Sequence, residues 1–259
     1  MKGTLLIERH AGRELLIYLP PSYEHASYPL PVVYVQDSGD LFDPILNGNI
    51  YHLELRFAAG TLPELIMIGI TPQDRIHEYT PWSAQKLQPG RHYDHFGGRA
   101  SQYLYTLTHE IKPWVDRNFY TDPRPECTGI IGKSLGGLVS LFAAYVYPEV
   151  FGRIGAMSAS LWYEGFVEFM AERELLPGLR VYMDIGSLEG VQKQNRQRLM
   201  QSLTNEAAVI LSRNQQQPDQ LYFVRREGED HEEDSFYRRF PEMMDWLFAR
   251  NTIRLLNEK

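Results

Sequence analysis

Short runs of apolar residues recur along the chain, each bounded by glycine, proline or polar residues typical of turns. The runs are continuous rather than alternating, which is the pattern of strands buried on both faces of a helix-covered parallel sheet. The sequence therefore predicts buried strands at Val32–Val35, Leu65–Ile70, Gly129–Gly132, Val181–Ile185 and Leu221–Val224.

Longer stretches with a helical pattern separate these strands. They span residues 47–59, 100–118, 135–147, 192–213 and 235–250. The alternation implies right-handed crossovers, and so an α/β fold with a mostly parallel, doubly wound sheet. At the N-terminus, Thr4–Arg9 and Glu14–Leu19 flank a turn that contains Gly12, which predicts an antiparallel hairpin at the sheet edge. No linker composition interrupts the chain, and we predict one domain over residues 1–259.

Residues 72–99 depart from this pattern. They contain three prolines and three glycines and show no clear periodicity. A long structureless loop in a compact domain usually has a function, and we predict that this one borders a substrate pocket.

Composition restricts the class of protein and its compartment. Hydrophobic residues make up 43% and charged residues 23%, as in ordinary globular proteins. Cys127 is the single cysteine, so no intrachain disulfide forms. The N-terminus lacks the apolar run of a signal peptide, and we expect a cytoplasmic protein without a membrane span. The net charge of −7 argues against nucleic acid or an anionic membrane as partner.

One glycine-rich segment, Gly132-Lys133-Ser134-Leu135-Gly136, follows a predicted strand and precedes a predicted helix. That context matches the nucleophile elbow of α/β-hydrolases, a tight turn that holds a serine in strained geometry above the sheet. Glycines are needed on both sides because side chains there would collide across the turn. We therefore predict an α/β-hydrolase fold with Ser134 as nucleophile and the Leu135 amide as one donor to the oxyanion.

A nucleophilic serine needs a base to remove its proton and an acid to fix the tautomer of that base. In α/β-hydrolases these follow in the chain order Ser, acid, His. His231 is the only histidine after Ser134, and it lies between the last predicted strand and the last predicted helix. For the acid, Glu189 lies in a loop past a strand end, where catalytic groups of open sheets collect, whereas Asp184 lies inside the strand. Loop position favours Glu189, and Asp184 stays open.

The second oxyanion donor is expected in the loop after Val32–Val35. This loop contains Ser38, Gly39 and Asp40. A glycine lets the backbone approach a substrate closely, so we predict the Gly39 amide, with those of Ser38 and Asp40 as alternatives.

Further ordered segments accompany the elbow. They are Val33–Phe42, Gly69–Ile70, Arg75–Trp82, Glu110–Asp116, Tyr147–Gly152 and Ser158–Trp162. Together they resemble the putative esterase family of α/β-hydrolases over about residues 14–250. That family includes esterase D-like enzymes, feruloyl esterases, mycolyltransferases and enterochelin (ferric siderophore) esterases.

The resemblance implies a serine carboxylic-ester hydrolase with a Ser134, Glu189 and His231 triad, because the family's Gly-x-x-Asp/Glu segment falls on Gly186–Glu189. It implies no cofactor and no metal. The Arg-x-x-Glu-Tyr-x-Pro-Trp segment is most similar to the siderophore esterases, which hydrolyse a catecholate trilactone. The side chains then expected to border or contact a small-molecule ester substrate are Asp37, Ser38, Asp40, Arg75, Lys133 and Trp162.

Two of these positions depart from the family. Lys133 replaces the usual small residue before the nucleophile, and Ser38 replaces a glycine in the loop after the third strand. Cations and aromatic rings suit an anionic aromatic ligand. The alternative interpretation pairs Arg75 with Glu78 and packs Trp162 beside the pocket.

Two other classes of function remain compatible with the same residues. An acyltransferase uses the same triad with an alcohol or sugar in place of water. A non-catalytic binding protein holds the ligand without turnover, although an intact set of serine, acid and histidine argues against it.

Overall fold

The computed structural model describes residues 1–85, 95–213 and 220–248. The strands are β1 (Thr4–His10), β2 (Arg13–Leu19), β3 (Val32–Val35), β4 (Ile66–Ile70), β5 (Ser83–Gln85), β6 (His95–Gly97), β7 (Thr128–Lys133), β8 (Arg153–Met157), β9 (Arg180–Gly186) and β10 (Leu221–Arg226). The α-helices are α1 (Asn49–Ala59), α2 (Arg75–Glu78), α3 (Ala100–Thr106), α4 (Lys112–Asn118), α5 (Leu135–Val146), α6 (Phe166–Ala171), α7 (Met200–Arg213) and α8 (Glu233–Phe248). The prediction of one domain over residues 1–259 stays a prediction.

The central sheet has the order β1-β2-β4-β3-β7-β8-β9-β10 in the described part of the chain. Strands β4 to β10 of this order pair in parallel, while β1, β2 and β4 pair antiparallel. The prediction of a mostly parallel sheet with an N-terminal antiparallel hairpin is therefore confirmed.

Helices cover both faces of the sheet. On one face, apolar side chains of α1 and α8 form a cluster with β3, β4 and β7. On the other face, α3, α5, α6 and α7 contribute to a larger cluster with side chains from the same sheet. Because most sheet residues have an apolar layer on each side, the strands read as continuous hydrophobic runs in the sequence.

The strand order reverses at the centre of the sheet. The chain passes from β3 outward to β4 and then returns to β7 on the other side of β3. In open α/β sheets the crevice at such a reversal lies at the carboxyl ends of the strands and is where ligands bind. The loops that follow β3 and β7 flank this crevice, and these are the predicted oxyanion loop and the elbow.

Strand β8 was not predicted. It pairs between β7 and β9 and is wholly buried, but its five residues include an arginine and two small residues rather than a β-branched run. The prediction that residues 72–99 lack structure was wrong for their described part, which contains α2 and the β5–β6 hairpin. Residues 86–94 of this segment lie outside the described residues.

The predicted helix 100–118 is helical throughout, but a π turn over Leu107–Ile111 separates α3 from α4. Pro113 explains the break, since it has no N–H to donate to the carbonyl of residue 109 and its ring would clash there. None of the helices in the described ranges is long and apolar enough to cross a membrane.

A substitution at Gly69 tests how tightly the crevice is packed. A Cβ there would lie 2.5 Å from the Ser38 carbonyl oxygen and 2.6 Å from the Gly39 Cα, both backbone atoms. We expect Gly69→Ala to lower the free energy of unfolding by about 1–3 kcal/mol, measured by urea denaturation, because the loop must shift. Gly48→Ala is the control, since its Cβ would meet nothing within 4 Å. Equal stability of the two variants would contradict the packing argument.

Candidate active site

A tight turn between β7 and α5 presents Ser134 at the carboxyl edge of the sheet. Its backbone has φ 55° and ψ −121°, outside the regions that non-glycine residues ordinarily adopt. The turn is crowded, because a Cβ at Gly132 would lie 2.5 Å from the carbonyl carbon of Gly136. The segment therefore has the geometry of a nucleophile elbow, with glycines where side chains have no room.

His231 reaches this serine from the loop between β10 and α8. Its Nε2 lies 3.0 Å from the Ser134 Oγ, which is within hydrogen-bond distance. The edge of its ring packs on Phe236, with the ring centroids 5.0 Å apart. This aromatic contact helps to set the plane of the imidazole.

Glu189 is the carboxylate beside the histidine. Its Oε2 lies 2.6 Å from the His231 Nδ1, and its side chain has no exposed surface. The other oxygen accepts hydrogen bonds from the Gly186 N–H, at 2.8 Å, and from the Ser158 hydroxyl. A carboxylate at Nδ1 keeps the proton on that nitrogen, which leaves Nε2 of the neutral ring as an acceptor.

Asp184, the alternative acid, points into the protein from β9. Its Oδ2 accepts a hydrogen bond from the Tyr182 hydroxyl at 2.9 Å, and its Oδ1 accepts one from the Ser158 N–H at 3.0 Å. Burial raises the pKa of Asp184, and the positive charge of Arg239 opposes this rise. The structure therefore brings the carboxylate of Glu189, and not that of Asp184, to His231.

Arg239 joins the two buried carboxylates from α8. Its Nη1 lies 3.0 Å from the Asp184 Oδ1, and its Nη2 lies 3.9 Å from the Glu189 Oε1. Since burying an unpaired charge is costly, this arginine offsets the burial of both acids. The sequence analysis missed Arg239, because an arginine in an amphipathic helix reads as a residue of the solvated face.

The Gly39 prediction needs correction. The Gly39 N–H already donates to the Gln36 carbonyl at 3.1 Å. Its positive φ of 79° and its contact with Gly69 explain why glycine is needed there, without any approach to a substrate. The Asp40 amide is also occupied, since it donates to the Asp37 carbonyl at 3.2 Å.

Of the three candidate amides, that of Ser38 remains available. Among the described residues no group accepts a hydrogen bond from the N–H of Ser38 or of Leu135. Ser38 is exposed, and its backbone has a positive φ of 62°, unlike the extended residues of the preceding strand. Leu135 is the first residue of α5, where the amides lack helical partners and suit an anion.

The segment around α2 holds the predicted oxyanion loop in place. The Arg75 guanidinium makes a two-point ion pair with Asp37, at 2.6 and 3.0 Å. The Tyr79 hydroxyl accepts a hydrogen bond from the Asp37 N–H at 2.9 Å. The alternative pairing of Arg75 with Glu78 was wrong, because Glu78 forms a buried ion pair with Arg13 of β2.

Lys133 is engaged within the protein. Its ammonium lies 3.0 Å from the Asp40 carboxylate and also contacts the Glu233 carboxylate. Burial lowers the pKa of Lys133, but Asp40 and Glu233 more than compensate and raise it. This environment argues against the predicted contacts of Lys133 and Asp40 with a substrate, since the two side chains contact each other and the ammonium also contacts Glu233.

Trp162 lies in the turn that follows β8 and is largely buried. It lines an open cleft, and the Nε of Arg196 donates to its carbonyl at 2.9 Å. The other residues that line this cleft are Ala84, Gln85, Phe96, Tyr163, Glu164 and Asn195. The cleft thus combines aromatic rings with an arginine and a glutamate, since the Arg196 Nη1 lies 3.8 Å from the Glu164 Oε1. Part of the 72–99 segment forms its wall.

A model of the family described as "Putative esterase" matches residues 10–247 of the chain. The chain belongs to this esterase family. The prediction of a carboxylic ester hydrolase is therefore confirmed at the level of the family.

Two proteins of Bacillus subtilis strain 168 are similar to this member of the family. The uncharacterized protein YbbA is 40% identical over 252 residues, which is 97% of this chain and 98% of YbbA. The uncharacterized protein YjcH is 27% identical over 196 residues, which is 72% of this chain and 74% of YjcH.

Solved structures show the same fold. An IroE-like serine hydrolase from Shewanella oneidensis has a TM-score of 0.78 and 23% identity, covering 95% of this esterase and 80% of that chain. The enterobactin esterase FES from Shigella flexneri has a TM-score of 0.68 and 17% identity, and the match covers 99% of this chain and 60% of the FES chain. The siderophore hydrolase EstB from Aspergillus nidulans has a TM-score of 0.68 and 20% identity, with 94% of each covered. The α/β-hydrolase fold is confirmed.

Asp40 provides a pH-dependent test of the loop in this esterase. Burial raises the pKa of Asp40 to about 7, although Lys133 opposes the rise. The folded protein then holds a proton that the unfolded chain releases near pH 4, so this group lowers stability as pH rises from about 4 to about 7.

We expect the free energy of unfolding of the wild type, relative to Asp40→Asn, to decrease as pH rises through this window. Denaturant titrations at several pH values measure the difference. A difference that stays constant or increases with pH would contradict the raised pKa.

Proposed function

We propose that this esterase is a serine carboxylic-ester hydrolase that acts through an acyl-enzyme, with Ser134 as nucleophile, His231 as base and Glu189 as acid. One observation carries the proposal: an unbroken chain of hydrogen bonds from Glu189 through His231 to Ser134, with distances of 2.6 and 3.0 Å. The strained backbone at Ser134 supports it, because strain of this kind persists at functional sites.

The first half of the reaction forms the acyl-enzyme. His231 Nε2 takes the proton of the Ser134 hydroxyl as Oγ attacks the ester carbonyl, and Glu189 stabilises the resulting imidazolium. The carbonyl electrons move onto the oxygen, which the Ser38 and Leu135 amides bind as it becomes negative. The carbonyl then re-forms, the bond from the acyl carbon to the alcohol oxygen breaks, and the imidazolium gives its proton to that oxygen, so that the alcohol leaves.

The second half returns the free enzyme. Water attacks the acyl group while His231 takes its proton, and the same two amides hold the oxyanion. The bond from the acyl carbon to Ser134 Oγ breaks, Oγ regains its proton from His231, and the carboxylic acid departs. An alcohol or sugar in place of water would make the enzyme an acyltransferase.

For the substrate we propose a catecholate trilactone of the siderophore type. Proteins of similar fold include an enterobactin esterase and a siderophore hydrolase. The rings of Trp162 and Tyr163 in the cleft support the idea, since flat rings suit an aromatic group. The cytoplasmic location predicted from the sequence stays a prediction, as does the absence of a nucleic-acid partner.

Activity should depend on Ser134 and prefer the trilactone. We expect the purified protein to hydrolyse a catecholate trilactone faster than a short p-nitrophenyl ester, and Ser134→Ala to lose at least about 10³-fold of either activity. Chromatography of the products measures the first rate and absorbance the second. Ser140→Ala is the control, because this buried hydroxyl only donates to the Gly136 carbonyl at 2.8 Å.

Each result bears on a different part of the proposal. Serine-dependent cleavage of the simple ester alone would retain the mechanism and reject the substrate. Acyl transfer to an added alcohol in preference to water would reject hydrolysis as the main reaction. Full activity in Ser134→Ala would reject the mechanism itself.

Two substitutions distinguish the acids. We expect Glu189→Gln to lower kcat by about 10⁴-fold, because the amide no longer fixes the His231 tautomer. Asp184→Asn should mainly lower stability, by about 3–5 kcal/mol, because it leaves the charge of buried Arg239 without this partner. Steady-state kinetics and urea denaturation separate the effects. The reverse ranking of the two kcat values would assign the acid to Asp184 instead.

A further inference from the structure

A second serine lies against the proposed nucleophile. The Ser160 Oγ is 3.2 Å from the Ser134 Oγ, and the Ser160 N–H donates to the Ser134 carbonyl at 3.0 Å. Ser160 has no exposed surface, whereas Ser134 is partly exposed. The steps written above give this buried hydroxyl no part.

The turn after β8 holds Ser160 from several sides. Ser158 has a positive φ of 43°, and its N–H donates to the Asp184 carboxylate at 3.0 Å. Ala159 packs against α5, since a Cβ on Gly137 would lie 3.1 Å from the Ala159 Cβ. The Ser160 carbonyl accepts a hydrogen bond from the Tyr163 N–H at 2.9 Å. The hydroxyl is therefore presented to Ser134 by a backbone with little freedom.

The direction of the hydrogen bond between the two serines follows from the histidine. Glu189 keeps the His231 proton on Nδ1, so Nε2 accepts and the single proton of Ser134 is directed to it. Ser134 then has no proton left for Ser160, and Ser160 must be the donor. A buried hydroxyl also needs an acceptor, and in the described ranges the Ser134 Oγ is the only one that Ser160 reaches.

We propose that Ser160 is a catalytic residue that donates a hydrogen bond to the Ser134 Oγ and speeds deacylation. The inference rests on the proposed acyl-enzyme mechanism and extends it. In the acyl-enzyme, Oγ is an ester oxygen and a weak acceptor. As the bond between carbon and Oγ breaks, its electron pair moves onto Oγ, and the hydrogen bond from Ser160 strengthens while His231 delivers the proton. Ser160 keeps its own proton throughout.

During acylation, the hydrogen bond from Ser160 to Oγ weakens instead of strengthening. There Oγ changes from a hydroxyl, which accepts well, to an ester oxygen, which accepts poorly, so Ser160 gives no help to this step. The hydroxyl therefore affects the two halves of the reaction differently. A residue that only packed beside Ser134, or only positioned it, would not separate them.

The test uses rapid mixing with an activated p-nitrophenyl ester, together with mass spectrometry of the intact protein during turnover. We expect Ser160→Ala to lower the deacylation rate constant by about tenfold while the acylation rate constant is unchanged or higher. The acylated fraction at steady state should rise accordingly. Because both rate constants refer to the same active molecules, partial unfolding of the variant does not alter their ratio.

Two further variants complete the test. Ser160→Thr keeps a donor and should restore much of the deacylation rate, whereas Ser140→Ala removes another buried hydroxyl and should leave the ratio unchanged. An unchanged ratio in Ser160→Ala, or an equal loss in both steps, would overturn the role of Ser160 and leave the esterase mechanism intact. Wild-type protein without hydrolysis that depends on Ser134 would overturn the proposed function and this inference together.

Discussion

The backbone conformation of Ser134 is the constraint on which the rest of the site depends. A positive φ at a residue with a side chain costs about 1–3 kcal/mol and persists only where its surroundings impose it. Here β7 and α5 impose it at a turn too crowded for a Cβ at Gly132, and backbone hydrogen bonds tie Ser134 to Met157 and Ser160 on the β8 side. The turn lifts the hydroxyl above the sheet, where His231 reaches it from another loop.

Near this turn, buried charged side chains lie beside groups that can carry the opposite charge. Glu189 can lie without solvent exposure because Arg239 brings positive charge close to it and to Asp184. On the side of the Asp37 loop, the Lys133 ammonium contacts the carboxyl groups of Asp40 and Glu233, so the departure from a small residue before Ser134 does not leave a free cation. Both arrangements keep the polar groups near Ser134 in fixed positions, as the proposed catalysis requires.

The crevice draws its parts from distant stretches of chain. The Asp37 loop is held by Arg75 and Tyr79, and the segment that carries them is attached to the N-terminal hairpin through the buried pair of Glu78 and Arg13. The edge hairpin thereby supports the oxyanion loop, although it lies two strands away from β3. Such support explains how a loop with three consecutive positive φ values keeps one shape.

The sequence by itself determined what depends on neighbours in the chain: the buried strands, the glycine spacing around Ser134, and the choice of His231 as the only downstream histidine. Strand β8 was not predicted, because its burial comes from β7 and β9, while its own residues carry little strand signal. The tertiary structure decided that the Gly39 amide is engaged, whereas the Ser38 amide has no acceptor in the described part of the chain. It also decided which side chains Arg239 and Ser160 contact. Hydrogen bonds and ion pairs between residues far apart in the chain depend on the folded geometry, which local pattern does not encode.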